Sequence, residues 1–425
     1  MARERAPSAG SPRRWIPGFA REGSVPAPLV APPALRPNSQ PEVSFGNPGN
    51  TIKVALVGLA NCGKSLVFNA LTGGQAKVSS TAGTTTQPEE AFAQLPLDTF
   101  RWLTAHVSPR SSLGPMAKIV DLPPVSRSTA NRPAQNRCLA AAAACDALII
   151  VNRCFDATHV PNHSLDLKPV ADLDIIEAEL VAFDLELVSQ RVKEGAQLLQ
   201  QGVPDGSPVP AEMQGQLQAL MKAKGVLEQG RMVRFSQDWT PQEAAYLNRH
   251  QLVTAKPAVY LVNASASQYT TGKNKHLPRI YEWVDQRSAG AVLPYCSELE
   301  SVAAAAATPE EKQDTLLKFG LKRAATETLL RLCFDAFGFV FFFTVSPMET
   351  KCWTLKSGQT AAQAAGRVLP AFAAGLSSVE VYSVYDLKEC GSLRKVQESG
   401  KYATRGPDYV VKDGDVLLFR MGSLH

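Results

Sequence analysis

One run of eight residues constrains this chain more than any other: Gly58-Leu59-Ala60-Asn61-Cys62-Gly63-Lys64-Ser65, which matches G-x-x-x-x-G-K-[ST] throughout. Glycines at both ends let backbone N–H groups curl around a phosphate, and a helix opening directly after the loop turns its positive end toward the same point. The flanks agree with that geometry. Lys53 to Gly58 (K-V-A-L-V-G) reads as a buried strand, and Lys64 to Thr72 (K-S-L-V-F-N-A-L-T) reads as a helix. The expected ligand is a nucleoside triphosphate, ATP or GTP, held by Asn61, Cys62, Gly63, Lys64, Ser65 and Leu66. Lys64 is expected to reach the β- and γ-phosphates, and the Ser65 hydroxyl to ligate Mg2+. Two more metal-side groups are sought at the ends of neighbouring elements. Asp121 closes the apolar run Ile119-Val120-Asp121, and Thr85 lies in Thr84-Thr85-Thr86 before Pro88; both are expected on the metal.

Four further apolar runs extend the pattern: Met116 to Asp121, Ala147 to Val151, Pro257 to Val262 and Ala291 to Tyr295. Strands alternating with helices predict an α/β fold, a doubly wound and mainly parallel sheet of the P-loop NTPase kind. Asp172 to about Phe235 breaks the alternation. Leu173, Ile176, Leu180, Phe183 and Leu187 recur at helical spacing, and Met213, Leu217, Leu220 and Leu227 continue it after a Pro/Gly break from Gly202 to Pro210. Two helices folded back as an inserted antiparallel coiled-coil arm are expected; two amphipathic core helices would carry the same pattern. From about Gly338 the chain reads as a small α+β module. Strand-like runs Phe339 to Val345, Val379 to Val384, Tyr409 to Val411 and Val416 to Phe419 surround one helix from about Thr360 to Ala374, and Asp413-Gly414-Asp415 reads as a tight turn. The expected divisions are therefore 1–50, 51–171, 172–235, 236–337 and 338–425.

Composition narrows the class. Residues 1 to 50 hold ten of the 30 prolines and six arginines, with no lysine and only Glu4, Glu22 and Glu42 as acids. That density of proline blocks helices and ladders, so a disordered tail is expected. A cytoplasmic location is expected, with organellar import as an alternative because the tail is Arg-rich and acid-poor. The longest apolar run, Phe337 to Val345, is too short to span a bilayer, so no membrane partner is expected. Eight cysteines include no C-x-x-C pair, which argues against a zinc site or a disulfide framework. His159 and His163, four apart, flank a proline and read as a surface loop. The net charge of +5 is compatible with an RNA-bearing partner without requiring one.

At this point the residues resemble a family, the YchF/Obg-like ATPases, over about residues 52 to 422. Leu59 to Thr72 resembles L-P-N-V-G-K-S-T-L-F-N-A-L-T; Arg153-Cys154-Phe155 stands at the family's R-C-F; Leu252 to Pro257 resembles L-L-T-A-K-P. The C-terminal module is similar to the TGS domain, a ubiquitin-like β-grasp, through Trp353-Thr354, Gln363 to Gly366, Gly400-Lys401, Asp408-Tyr409 and Asp413 to Val416. The resemblance implies a G-type domain, a coiled-coil insertion and a TGS domain in that order. It implies ATP preferred over GTP, slow hydrolysis and a ribosome-related role, with a ribosome or ribosomal RNA as partner; a monomer is expected.

The departures cluster in the chemistry. Where the family reads the base with N-x-x-E, the loop is Asn263-Ala264-Ser265-Ala266; Asn263 is left as the base-side contact, with no carboxylate. A bidentate base contact is worth about 1–3 kcal/mol of discrimination, so its loss argues against strong guanine selection. GTPases follow the metal-side acid with D-x-x-G, whose glycine N–H grips the γ-phosphate; here the run is Asp121-Leu122-Pro123-Pro124, and proline has no N–H. Val125 follows as a hydrophobic residue in the family manner. Ile150 occupies the position of the family's candidate histidine, and Asn152 is the remaining polar side chain on that strand. The segment Ser126 to Arg137 carries Arg127, Arg132 and Arg137 and reads as a solvated loop, with phosphates in trans or RNA as the alternative use of the three arginines. Two readings follow: a slow ATPase, or a hydrolysis-deficient nucleotide-binding adaptor.

Overall fold

The computed structural model describes residues 45, 46, 48–74, 87–126, 132–155, 167–201, 210–236, 238–287, 290–306, 308–321 and 323–422. Thr85, Arg127, His159, His163 and residues 1–44 lie outside the described residues. The strands are β1 (Thr51–Val57), β2 (Glu89–Gln94), β3 (Ser111–Leu113), β4 (Met116–Asp121), β5 (Ala147–Arg153), β6 (Ala258–Asn263), β7 (Ala291–Tyr295), β8 (Phe339–Val345), β9 (Glu349–Lys356), β10 (Leu376–Ser383), β11 (Tyr402–Arg405) and β12 (Asp415–Met421). The helices are α1 (Lys64–Thr72), α2 (Asp98–Val107), α3 (Arg132–Ala143), α4 (Pro169–Gln201), α5 (Ala211–Glu228), α6 (Pro241–Asn248), α7 (Ala266–Thr271), α8 (Leu277–Gln286), α9 (Ser297–Ala304), α10 (Pro309–Lys318), α11 (Ala325–Asp335), α12 (Ala361–Val368), α13 (Pro370–Gly375), α14 (Val384–Cys390) and α15 (Leu393–Glu398).

Strands β2-β4-β1-β5-β6-β7 form the first sheet, parallel except for the antiparallel edge pair β2–β4. Every residue of β5 and β6 is buried, as a parallel sheet covered on both faces demands. Alternation along β1 sends Ala55 and Val57 to one face, against α3, α4 and α8. Ile52, Val54 and Leu56 go to the other, against α1 and α11. The sheet is doubly wound, as the sequence predicts. Register sets the working edge: Leu56 pairs with Asp121, Val57 with Ile150 and Asn263 with Tyr295, so the parallel strands end together at the carboxyl edge where ligands bind in such sheets.

Helices α4 and α5 pack against each other, but the hairpin differs from a freely projecting arm. Leu173, Ile176, Leu180 and Val188 of α4 are buried in the main core, as are Ala219, Leu220, Ala223 and Leu227 of α5. Val192 still packs against that core, and only the distal end of α4 and the start of α5 stand clear of it, so the insertion is part core and part projection. Asp184, fully buried on α4, accepts Val253 N–H (3.2 Å), Thr254 N–H (2.7 Å) and Thr254 Oγ1–H (2.5 Å), which fixes the turn that leads into β6.

The C-terminal sheet has the order β11-β10-β12-β8-β9, a β-grasp, and β3 of the nucleotide domain adds a sixth strand parallel to β9. Period-two alternation divides β8. Phe342 faces the module's own α12, while Phe341 and Phe343 enter the core shared with α1, α2 and α11. The sheet is thus sandwiched between α12 and the nucleotide domain. Three expectations change here. The single helix from Thr360 to Ala374 is two, α12 and α13, because Leu369 is extended before Pro370. Tyr409 to Val411 is no strand and makes one isolated bridge, Thr360 with Val410. The Asp413-Gly414 turn exists, but it hands the chain to β12 by bonding β8: Phe341 N–H donates to Asp413 Oδ1 at 2.8 Å, and Gly414 N–H to Phe341 O at 2.8 Å.

A fourth correction concerns the expected tail. Residues 45, 46 and 48–50 are a packed strap. Gly46 N–H donates to Asn248 Oδ1 (2.9 Å), Lys356 Nζ to Gly46 O (2.9 Å), and Arg367 to Pro48 O (2.8 Å). Asn50 bonds both Thr354 N–H and Cys352 O. The prolines that disfavour helix and sheet leave carbonyls open, and basic side chains of the C-terminal module take them.

Candidate nucleotide-binding site

The loop from Gly58 to Gly63 runs directly between β1 and α1. Gly63 is in the left-handed region (φ 101°), and a Cβ there would meet Asn263 Nδ2 at 2.4 Å and Ser297 Oγ at 3.0 Å. At Gly58 a Cβ would meet Val151 O at 2.6 Å and Cys62 Sγ at 2.7 Å. Both glycines are therefore fixed by what they approach as well as by backbone freedom. Lys64 is buried, and its ammonium donates to Gly58 O (3.0 Å) and Leu59 O (2.8 Å). It lies over the loop rather than reaching into solvent.

Ser65 and Asp121 come together across the β1–β4 pairing: Ser65 Oγ–H donates to Asp121 Oδ2 at 2.7 Å. Asp121 is fully buried, and its Oδ1 has no protein partner among the described residues. A buried carboxylate oxygen without a donor is costly unless something cationic meets it. Two hard oxygens beside a phosphate loop suit magnesium, so the residues fit the ion that such loops use. Burial pushes the Asp121 carboxyl above its usual range, while the Ser65 hydrogen bond and the nearby Lys64 ammonium pull it back. Thr85, the third expected metal residue, lies outside the described residues.

The base side is assembled differently. Asn263 ends β6; its Nδ2 donates to Cys62 O (2.9 Å) and its Oδ1 accepts Ser297 N–H (3.0 Å). This side chain ties the phosphate loop to the first turn of α9, a bracing role that the sequence does not announce. Ser265 caps α7, with its hydroxyl accepting Gln268 N–H (3.4 Å) and Gln268 Oε1 accepting Ser265 N–H (3.3 Å). Ala266, at the site of the missing carboxylate, is the first residue of that helix and packs against the Cys296–Leu299 cluster.

After Asp121 the chain is pinned. Leu122 and Val125 are buried, and Val125 N–H donates to Gly58 O at 3.1 Å. The amide next to Pro124 is therefore already engaged by the phosphate loop. Ile150 is buried in the core, and Asn152 donates to Pro169 O at 3.0 Å, at the start of α4. Ile150 offers no polar group, and Asn152 Oδ1 is buried without a hydrogen-bond partner among the described residues. The segment before α3 also differs from expectation: Arg132 opens that helix and pairs with Glu179 at 2.7 Å, while Arg137 is exposed on it. Arg153 lies over the Phe155 ring (4.8 Å to its centroid) and donates to Phe155 O at 3.3 Å, so the R-C-F residues close on themselves. All eight cysteines are free thiols.

A largely parallel sheet with a phosphate loop at its carboxyl edge, a hydrogen-bonded Ser–Asp pair beside it and an appended β-grasp define a P-loop nucleotide-binding protein of the GTPase type. Comparisons with known proteins agree. Residues 53–181 match the family model described as 50S ribosome-binding GTPase, and residues 339–422 match the YchF-GTPase C-terminal model, described as a protein of unknown function. The chain is 33% identical to Obg-like ATPase 1 of Bos taurus over 387 residues, covering 90% of this chain and 96% of that protein. It is 32% identical to Obg-like ATPase 1 of Caenorhabditis elegans over 394 residues, covering 92% and 98%. Among solved structures, the Schizosaccharomyces pombe YchF GTPase superposes with a TM-score of 0.71 at 27% identity, covering 89% of this chain and all of that one. The chain belongs to the YchF, or Obg-like ATPase, family.

Proposed function

We propose that this protein binds ATP in the Gly58–Ser65 loop with Mg2+, hydrolyses it slowly, and acts on a ribosome or ribosomal RNA in the cytoplasm. The observation that carries the nucleotide reading is the Ser65–Asp121 pair at 2.7 Å, with the open Asp121 Oδ1 beside it and Lys64 over the loop. Ser65 and Asp121, with Thr85, would hold the ion, which when bound neutralises charge between the β- and γ-phosphate oxygens. Lys64 exchanges its loop carbonyls for phosphate oxygens, and the N–H groups of Gly63 to Leu66 face the phosphates from the head of α1. The choice of ATP rests on a base loop without a carboxylate at Ala266, and on relatives named as ATPases. The ribosomal partner rests on the description of the matched family model as a ribosome-binding GTPase and on the mild positive charge.

A second reading, a binding-only adaptor working through the helical hairpin and the TGS domain, is favoured by one feature. Pro124 has no N–H, and Val125 N–H is committed to Gly58 O. A γ-phosphate then meets no free amide at either of those two positions. Single-turnover hydrolysis of ATP and GTP, with Lys64→Ala as control, separates the two. A wild-type rate above the control, with ATP faster than GTP, supports the slow ATPase. Equal rates with and without ribosomes leave only the adaptor. Co-sedimentation with ribosomes that weakens as salt rises supports a phosphate-rich partner, and no sedimentation at low salt removes it.

A further inference from the structure

Nucleotide discrimination needs a group that tells adenine from guanine, and the expected loop provides none: Ala266 is a helix residue packed on an apolar cluster. The polar groups around the junction are engaged elsewhere. Asn263 spends both ends of its amide on Cys62 O and Ser297 N–H. Ser265 and Gln268 cap each other, and Asn274 Nδ2 donates to Cys154 O and Gln268 Oε1. One residue beyond the Asn263–Ser297 bond, α9 presents two carboxylates in its first turn. They point to opposite fates. Glu300 is buried and accepts Ala325 N–H (2.7 Å), Thr326 N–H (3.3 Å) and Thr326 Oγ1–H (3.0 Å), which caps α11. Glu298 is exposed and makes no ion pair or hydrogen bond through its side chain among the described residues.

The geometry points to Glu298 as the residue that reads the base, a carboxylate on a different element from the loop where Ala266 stands and aimed at a different edge of the base. An ionised carboxylate only accepts hydrogen bonds. Adenine offers its 6-amino group as a donor, whereas guanine carries an acceptor carbonyl at the same position. A carboxylate meeting that position favours ATP and repels GTP. Glu298 is carried to the right neighbourhood by its backbone: Ser297, its predecessor, bonds the residue that braces the phosphate loop, and Ser297 Oγ lies 3.0 Å from where a Gly63 Cβ would be. The proposal rests on the nucleotide reading above and names the specificity residue of that same site.

The test titrates the full-length protein, wild type, Glu298→Gln and Glu298→Ala, with ATP, GTP, ITP and inorganic tripolyphosphate at constant Mg2+. Glu298 is exposed, so both variants are expected to keep the wild-type melting temperature. Expected is a roughly tenfold fall in ATP affinity for Glu298→Ala, the cost of about one charge-assisted hydrogen bond, with GTP and ITP unchanged or tighter and tripolyphosphate unaffected. An ATP-to-GTP ratio that stays at the wild-type value in both variants overturns the proposal while leaving the phosphate loop intact. A selective loss of GTP also overturns it, because Glu298 would then read the guanine edge. Wild-type protein that binds neither ATP nor tripolyphosphate ends the nucleotide reading and this proposal together.

Discussion

The phosphate side and the base side of one pocket are held by different means. On the phosphate side each group has a single job set by its place in the loop: Gly63 turns, Lys64 covers, Ser65 meets Asp121. On the base side and after Asp121, the side chains and amides that would contact ligand are bonded to protein instead: Asn263 to Cys62 and Ser297, Val125 to Gly58, Ser265 to Gln268. The first arrangement keeps affinity. The second fixes the surroundings rigidly and leaves little that can respond to a γ-phosphate. Binding and switching are separable properties of this fold, and this chain retains the parts of the first more fully than those of the second.

The comparison breaks most readily at Lys64. Lys64→Ala removes the charge over the phosphates, and ATP affinity by calorimetry should fall on the order of 100-fold, since charge-assisted bonds to phosphate are each worth about 1.5–3 kcal/mol. Retained affinity would mean that the loop is not the site. Asn263→Ala should act on the fold as much as on the ligand. It strands the buried Cys62 carbonyl and Ser297 amide, so urea denaturation should show a loss of about 2–4 kcal/mol, along with weaker tripolyphosphate binding. If tripolyphosphate binding is untouched and only the base preference moves, Asn263 is a base reader and not a brace.

Asp184 tests how the base side is held from behind. Burial pushes its carboxyl up to about 6 from 3.8, against the pull of three donated hydrogen bonds. The folded state therefore holds this proton more tightly than the unfolded chain does, and the group's contribution to stability rises as pH falls from about 6 toward 4 and declines as pH climbs back. Against Asp184→Asn, the wild type's advantage in denaturation midpoint should widen over that window; a pH-independent gap would place the titration elsewhere. The smallest effect is expected of Pro124→Gly. Restoring an N–H there should raise single-turnover hydrolysis by less than tenfold, because Val125 remains tied to Gly58 and no water-orienting group is gained. A much larger rise would identify that one amide as the missing part of the switch.

Much of the fold was legible because its signals are local. The parallel strands are continuous apolar runs, and α1, β4, β7 and β8 fall where the periodicity puts them. Of the strands that failed to read, β9 (E-T-K-C-W-T-L-K) carried an apolar stretch that was passed over, and three others had little apolar signal. β2 (E-E-A-F-A-Q) and β3 (S-S-L) are edge strands made by their partners, and β11 (Y-A-T-R) is another. Tyr409 to Val411 carried the signal without a partner and forms a single bridge. The helical insertion read as an arm because spacing alone does not say what an apolar stripe packs against; for α4 and α5 it is the main core, which both helices enter together.

The sequence by itself determined that a phosphate loop sits between a strand and a helix, that Asp121 closes a strand, and that Ala266 and Pro124 lack the groups expected of them. Those properties belong to single residues and to near neighbours. Only the tertiary structure decided that Asn263 braces the loop 201 positions away, that Val125 closes on Gly58, that residues 45, 46 and 48–50 strap the β-grasp module, and that β3 continues its sheet. Each of these pairs a polar group with a partner distant in sequence. Burial, which forces such groups to find partners, is a property of the folded chain and not of any segment of it.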